Sequence, residues 1–277
     1  HTNSGHWRHI VFREGTEAQE GATVSVGLVT HSATPEAEVV ALAERLMTLP
    51  VVAGVRWLHN DGLAEVAAGE EVRRWGDSTV RFSIDGVQLG LPPEAFFQVN
   101  SKGARVLFET IREALGEPGG ATLVDLYCGV GAIGLVLAAG YRRVVGVELI
   151  PEAIEVARAN AAQAGIESEW HAGKVEEVLP KLELDAPRHV VVDPPRAGLH
   201  PKAAAFVAGL EAEVLVYVAC SPSSLARDRA LLEEGGWSLE RLWTVDLFPQ
   251  TLHVEAVARF VRSEERGQSS SSRGASS

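Results

Sequence analysis

The stretch of sequence that decides the fold is Thr122-Leu123-Val124-Asp125-Leu126-Tyr127-Cys128-Gly129-Val130-Gly131-Ala132-Ile133-Gly134. Its first residues are typical of a buried strand, and its three glycines have the GxGxxG spacing that opens a helix after a strand. Glycines at these positions let the backbone approach a nucleotide-type cofactor closely. Glu148 ends the next predicted strand, where a carboxylate accepts hydrogen bonds from ribose hydroxyls. The pattern predicts a site for NAD or S-adenosylmethionine (AdoMet), with Gly129 and Glu148 among the binding residues.

Asp125 distinguishes between these two cofactors, because it stands four residues before Gly129. A carboxylate near the loop suits the cationic ammonium group of AdoMet and repels the pyrophosphate of NAD. We therefore favour AdoMet and keep an NAD-dependent oxidoreductase as an alternative. Cys128, inside the loop, is expected to fill space rather than to react.

Short apolar runs alternate with helical stretches on both sides of this loop. The helical stretches lie at 151–164 and 201–210, between predicted strands at 122–127, 143–148, 168–171, 189–193, 214–219, 239–245 and 253–261. The βαβ rhythm predicts a parallel sheet with helices on both faces, and the last two strands, with no helix between them, predict an antiparallel hairpin at its edge. The expected fold class is α/β, with the Rossmann-like, seven-stranded plan of AdoMet-dependent methyltransferases.

The chain is expected to have two domains and a tail. Strand-like runs at 9–12, 23–29, 51–58 and 80–91, with an amphipathic helix at 35–49, predict a small α+β domain over 1–91. Leu91-Pro92-Pro93 marks the boundary, and the methyltransferase-like domain covers 92–262. Residues 263–277 are rich in Ser, Gly and charge and are predicted to be disordered.

Composition excludes several classes of protein. The 277 residues are 46% hydrophobic and 22% charged, which is ordinary for a globular protein. Lys and Arg number 25 against 37 Asp and Glu, so the net charge of −12 argues against binding nucleic acid by global attraction.

The two cysteines, Cys128 and Cys220, have no metal-ligand spacing, so we expect no disulfide framework, no metal site and no iron–sulfur cluster within the chain, and a reducing cytosolic compartment. The longest uncharged run, 126–141, is too short to predict a bilayer span. The chain begins at His1 without a signal-peptide pattern, as expected for a fragment of a longer protein.

Two residues that carry chemistry follow predicted parallel strands, and a third lies within a predicted strand. Asp193, in Asp193-Pro194-Pro195-Arg196, and Cys220 each follow a parallel strand, whose carboxyl end faces the ligand crevice. Glu255 interrupts an otherwise apolar strand, and a carboxylate there is costly unless it is paired or used. We expect Arg196 and Arg227, in adjacent loops, to stabilise a thiolate or hold a phosphate.

Five motifs together resemble the RNA uracil-C5 methyltransferases, a family of AdoMet-dependent enzymes. The resemblance is dense from Phe96 to Phe260 and loose before it. The motifs are Phe96-Phe97-Gln98-Val99-Asn100, Asp125 to Gly131, Asp193-Pro194-Pro195-Arg196-Ala197-Gly198, Cys220-Ser221-Pro222-Ser223-Ser224-Leu225-Ala226-Arg227-Asp228, and Asp246-Leu247-Phe248-Pro249-Gln250-Thr251-Leu252-His253-Val254-Glu255.

The resemblance implies roles for individual residues. Cys220 would be the nucleophile and Glu255 the proton acceptor. Gln98, Tyr127, Glu148 and Asp193 would bind AdoMet. The implied substrate is a uridine in RNA, ribosomal RNA more than transfer RNA, modified by a monomeric enzyme in the cytoplasm.

The sequence departs from the family in several places. Ala132 stands where some members have a cofactor-contacting Asn, and Lys174 stands where a polar or acidic residue often meets the adenine side. Many members also carry an N-terminal OB-like domain or a four-cysteine iron–sulfur site, and this chain shows neither. Two alternatives are an RNA cytosine-C5 methyltransferase and a non-catalytic RNA-binding module.

Because the net charge is acidic, binding of RNA would require a basic surface that the total charge does not reveal. One hypothesis is a basic stripe around the crevice; the other is an RNA-binding domain upstream of His1. The stripe would consist of Arg73, Arg74, Lys102, Arg105, Arg142, Arg143, Arg196, Lys202, Arg227 and Arg229.

Overall fold

The computed structural model describes residues 5–19, 22–62, 69–98, 100–185 and 188–263. None of the described helices is long and apolar enough to cross a membrane. The predicted tail lies outside the described residues, apart from Ser263.

The first part of the chain forms a six-stranded sheet with one helix. The elements are β1 (Trp7–Gln19), β2 (Ala22–Thr30), α1 (Glu36–Met47), β3 (Val52–His59), β4 (Glu70–Gly76), β5 (Val80–Ile84) and β6 (Val87–Leu91). The strand order is β4-β3-β2-β1-β5-β6, with β2 and β3 parallel across α1. Helix α1 buries Val39 and Ala43 against Val26, Leu28 and Trp57 of the sheet.

The run at 80–91, which reads as one strand in sequence, is a hairpin. Asp85 and Gly86 form its two-residue turn with φ values of 49° and 83°. Both residues therefore have positive φ, the requirement of the type I′ turn that suits the twist of paired strands. Asp-Gly is the dipeptide typical of this turn, so the sequence contained the signal.

The second part of the chain forms the larger sheet. Its elements are α2 (Ser101–Leu115), β7 (Thr122–Leu126), α3 (Ala132–Val136), β8 (Arg143–Glu148), α4 (Pro151–Ala164), β9 (Glu169–Ala172), α5 (Val175–Val178), β10 (Arg188–Val192), α6 (Pro201–Ala208), β11 (Val214–Ala219), α7 (Pro222–Glu234), β12 (Trp237–Val245) and β13 (Glu255–Arg262). The strand order is β12-β13-β11-β10-β7-β8-β9. Strands β7 to β11 are parallel, and β13 is antiparallel to both of its neighbours. The predicted seven-stranded α/β fold with an antiparallel edge is confirmed.

Both faces of this sheet are covered, which explains why its central strands are predominantly apolar. One face packs against α2, α3 and α4, with Leu107, Ile111 and Ile154 among the buried residues. The other face packs against α6 and α7 through Val207 and Leu232.

The hairpin β5–β6 connects the two parts of the chain. It belongs to the six-stranded sheet, yet Val80, Phe82 and Leu89 are buried in the same core as α2 and α4. The backbone N–H of Gly90 also donates to Asn160 Oδ1 of α4 at 2.7 Å. The expected boundary at residue 92 follows β6, but the packing across it is continuous.

Candidate active site

The carboxyl ends of β7, β8, β10 and β11 meet at one edge of the larger sheet. They are followed or ended by Tyr127, Glu148, Asp193 and Cys220. Strand β13 runs in the opposite direction, so its first residue, Glu255, reaches the same edge. The topology therefore brings five of the predicted site residues together.

The glycine loop after β7 has the backbone that a cofactor cradle needs. Tyr127, Gly129 and Gly131 have φ values of 64°, 52° and 78°, of which only the first is unusual for its residue type. A side chain at Gly129 would meet no atom within 4 Å, so the space above the loop is open. Positive φ at Tyr127 marks a locally strained residue, as is frequent where a loop is shaped for a ligand.

Glu148 is held in place by the backbone around it. Oε2 accepts from the N–H of Gly129 at 3.1 Å, and Oε1 accepts from the N–H of Ile150 at 3.0 Å. Each carboxylate oxygen has a further lone pair available, so the carboxylate can still accept from a diol.

Asp125 is a buried carboxyl that bonds to the backbone at the start of α3. Its side chain is fully buried, and Oδ2 accepts from the N–H of Gly134 at 2.8 Å. Oδ1 is buried without a hydrogen-bond partner among the described residues. Burial raises the pKa of this carboxyl to about 7. Asp125 therefore ties the glycine loop to α3.

Asp193 and Glu255 form an acidic pair at the end of the sheet. Burial, followed by the charges of Glu255 and Asp125, raises the pKa of Asp193 to about 8. Glu255 is 4% exposed, and its pKa is also raised by burial. Burial therefore disfavours the charge on both carboxyls, and for Asp193 the neighbouring acids disfavour it further.

Cys220 is partly exposed beside these carboxyls. Burial raises its pKa, Glu255 and Asp193 raise it further, and the positive charge of Arg196 lowers it. Arg196 Nη1 lies 3.4 Å from His253 Nδ1, and the His253 ring is 6.0 Å from that of Phe248. Burial, one cation and two acids therefore act together on the ionisation of the thiol.

Gln98 follows a segment that the smaller sheet holds. Arg13 of β1 donates to the carbonyls of Pro93, at 3.3 Å, and Ala95. Arg56 of β3 pairs with Glu94. No sequence pattern indicates these contacts, because the partners lie far apart along the chain.

Asn100 joins the same segment to the loop before β13. Its Oδ1 accepts from the N–H of Gly103 at 3.0 Å and so caps α2, while its Nδ2 donates to the carbonyl of Leu247 at 3.1 Å. The motif at 96–100 is therefore fixed to the loop that leads to Glu255.

Comparisons with known proteins identify related families and relatives. Residues 178–262 match the family model described as tRNA (uracil-5-)-methyltransferase, and residues 98–208 match the model described as methyltransferase small domain. A curated relative from Caldanaerobacter subterraneus, named as an uncharacterized RNA methyltransferase, is 33% identical over 95% of this chain and 58% of its own length. Another with that name, from Listeria monocytogenes, is 38% identical over 92% of this chain and 55% of its own length.

The solved structure of Pyrococcus abyssi tRNA (uracil-54, C5)-methyltransferase, in complex with S-adenosyl-L-homocysteine, is also similar. Its TM-score is 0.74 at 31% identity, covering 94% of this chain and 61% of that one. The chain belongs to the RNA uracil-C5 methyltransferase family. It spans little more than half the length of the curated relatives it matches.

The two departures from the family pattern lie on different elements, Ala132 directly after the glycine loop and Lys174 directly before α5. Ala132 is buried at the start of α3. Lys174 is exposed and pairs with Glu177 at 3.1 Å. Neither side chain forms part of the acidic group around Asp193.

Arg227 does not occupy the position expected for it. Its guanidinium pairs with Asp228 at 2.6 Å and donates to the carbonyl of Ala197 at 2.8 Å. It is therefore engaged in the protein, and Arg196 alone of the two acts on the thiol.

The proposed basic stripe is largely neutralised. Seven of its ten cations pair with carboxylates: Arg73, Arg74, Arg105, Arg142, Arg143, Arg227 and Arg229. Arg142 and Arg143 also lie at the start of β8, the end of the sheet opposite to Glu148. Within the described part of the chain, three cations of the stripe have no carboxylate partner, namely Lys102, Arg196 and Lys202.

Proposed function

We propose that this chain transfers the methyl group of AdoMet to C5 of a uridine in RNA through a covalent adduct on Cys220. The observation that carries the proposal is the placement of Cys220, Asp193 and Glu255 at one sheet edge, next to the glycine loop and Glu148. A thiol and a buried acid beside a methyl-donor site form the set of groups that this reaction requires.

The residues at the edge fit a cationic cofactor. Asp193 and Asp125 repel each other and bind protons in the ligand-free chain. A sulfonium and an ammonium group nearby would favour their ionised forms. Glu148 would accept from the ribose hydroxyls, while Tyr127, Gly129 and Gln98 would line the rest of the site. Bound AdoMet would supply an electrophilic methyl group.

The chain's own residues would activate the base and release it. The Cys220 thiolate attacks C6 of the uracil, which breaks the 5,6 double bond and moves its electron pair through C5 to the O4 side as an enolate. C5 then takes the methyl group. Glu255 removes the remaining proton from C5, the 5,6 double bond re-forms and the bond between C6 and sulfur breaks, which returns the thiolate.

A uridine must leave its stack to reach this edge, which favours loops and unpaired segments of RNA. We propose ribosomal RNA as the substrate, as the sequence resemblance implies. Transfer RNA is the second candidate because the similar Pyrococcus abyssi enzyme is a tRNA methyltransferase. We also propose that the chain acts as a monomer.

The test is methyl transfer from labelled AdoMet to separate ribosomal and transfer RNA fractions, with the modified nucleoside identified by mass spectrometry. We expect 5-methyluridine with the wild-type chain and none with Cys220→Ala, which should still bind AdoMet. Cys128→Ala, at the buried cysteine, is the matched control and should keep most of the activity. Normal turnover by Cys220→Ala would reject the mechanism. Formation of 5-methylcytidine would favour the cytosine alternative, and RNA binding without transfer would favour a non-catalytic module.

A further inference from the structure

Asp228 is a buried carboxylate that the proposed chemistry does not use. It lies on α7, two turns after Cys220, and its side chain is fully buried. Oδ2 accepts from Tyr217 Oη at 2.6 Å and from the N–H of Leu199 at 2.7 Å. Oδ1 accepts from Nε and Nη2 of Arg227 at 2.8 and 2.6 Å. A buried charge with this many donors holds its surroundings in a fixed arrangement.

The partners of Asp228 and Arg227 converge on one loop, residues 194–199, which connects β10 to α6. Asp228 binds the N–H of Leu199, and Arg227 donates to the carbonyl of Ala197 at 2.8 Å. Gly198, between them, has φ +78°, and a Cβ there would lie 2.4 Å from Arg227 Nη2 and 2.5 Å from Asp228 Oδ2. The backbone of the loop is therefore packed directly onto the two side chains.

This loop also carries Arg196, one residue before Ala197. The charge of Arg196 lowers the pKa of Cys220, against the opposing charges of Glu255 and Asp193. The guanidinium has no carboxylate partner within the described part of the chain and meets only His253 Nδ1, at 3.4 Å. Its position thus depends on the backbone that presents it.

We propose that Asp228 and Arg227 are positioning residues: together they clamp loop 194–199 onto α7 and hold Arg196 beside Cys220. The clamp joins the strand end that carries Asp193 to the helix that follows Cys220, so it fixes the two halves of the reacting site relative to each other. The proposal rests on Cys220 being the nucleophile of the proposed function, and its test requires no methyl transfer.

The test is the rate at which iodoacetamide alkylates Cys220 between pH 7 and pH 10, followed on the peptide that contains it. Because only the thiolate reacts, the rate reports thiol ionisation. In Asp228→Asn we expect the rate at pH 8 to fall about three- to tenfold, as the thiol profile moves up by roughly half to one pH unit. Glu233→Gln breaks the Arg229–Glu233 pair, 2.7 Å apart on the same helix, and should leave the profile unchanged.

A double-mutant comparison shows whether Asp228 acts through Arg196. Arg196→Gln should slow alkylation by itself, and adding Asp228→Asn should slow it no further. An equal additional slowing in that background would overturn the proposal. So would a wild-type profile in folded Asp228→Asn.

Arg227→Gln provides a second variant if Asp228→Asn does not fold, because the Arg227 side chain is 54% exposed. It removes the bond to Ala197 and leaves Asp228 bonded to Tyr217 and Leu199. A shifted alkylation profile supports the clamp, and an unshifted one rejects it. If the wild-type chain transfers no methyl group but the variants show a shifted alkylation profile, the proposed function is rejected and the clamp is supported.

Discussion

Replacing Asp193 with Asn should stabilise the ligand-free chain at and above neutral pH. The pKa of this carboxyl rises from 3.8 to about 8 on folding, because burial and two neighbouring acids disfavour its charge. A group whose pKa is raised by folding contributes stability that is fully present below its unfolded pKa and lost as the pH rises through its folded pKa. The wild type should therefore lose stability from about pH 4 to about pH 8, whereas Asn has no charge to bury.

The magnitude follows from the width of this window. One pKa unit corresponds to about 1.4 kcal/mol, so three pH units give an upper bound of about 4 kcal/mol between pH 5 and pH 8. Asp193 titrates together with Glu255 and Asp125, which share part of this shift, so we expect roughly 2 kcal/mol for the single substitution.

Urea unfolding at several pH values between 5 and 8, followed by tryptophan fluorescence, measures this difference. Asp193→Asn should gain about 2 kcal/mol over the wild type across that range. Asp185→Asn, at a surface carboxylate that is 65% exposed, is the matched control and should follow the wild-type curve. Parallel curves for the wild type and Asp193→Asn would refute the assignment of Asp193 as an acid that is neutral in the ligand-free site.

Three further predictions follow from the site and its surroundings. Glu255→Gln should accumulate a covalent adduct with RNA, seen as a shifted band on a denaturing gel, because proton removal precedes release of Cys220; full activity with no shifted band would contradict this. Gly146→Ala should lower the free energy of unfolding by about 2 kcal/mol, since the new Cβ would lie 2.2 Å from Trp170 Cε3. Gly209→Ala is the control: its new Cβ would make only ordinary van der Waals contacts, so thermal unfolding should stay nearly unchanged. Binding of single-stranded RNA should show a slope of log affinity against log salt of about −2, as expected for the three unpaired cations of the stripe. A slope near −7 would instead indicate that all ten cations of the stripe contact RNA.

The sequence predicts the larger sheet well for a physical reason. Buried parallel strands are predominantly apolar and end in loops, so their number and order of appearance can be read directly from the sequence. The ends of those strands meet at one edge, which is why Asp193, Cys220 and Glu148 are found together. The placement of these three residues at one edge could thus be inferred from spacing and topology, whereas their roles stay predictions from the family resemblance.

Other features depend on contacts that no local pattern encodes. Arg227 is an exposed-looking cation in the sequence, yet its direction is set by the neighbouring Asp228 and by a carbonyl 30 residues earlier. The bonds from Arg13 to Pro93 and Ala95 span 80 and 82 residues. Such pairings follow from tertiary packing between elements that lie far apart along the chain, and charge or periodicity in the sequence gives no sign of them.

The core beneath hairpin β5–β6 cannot form until late in translation, because the helices that cover it are synthesised after the hairpin. Gly90 bonds to Asn160, which is synthesised 70 residues later. At the usual rates of elongation, that interval lasts about 4 to 14 s. During this time Val80, Phe82 and Leu89 have emerged without the helices that cover them. The hairpin therefore cannot complete its packing until the second part of the chain has been synthesised. A chaperone that binds apolar segments at the ribosome would bind this hairpin.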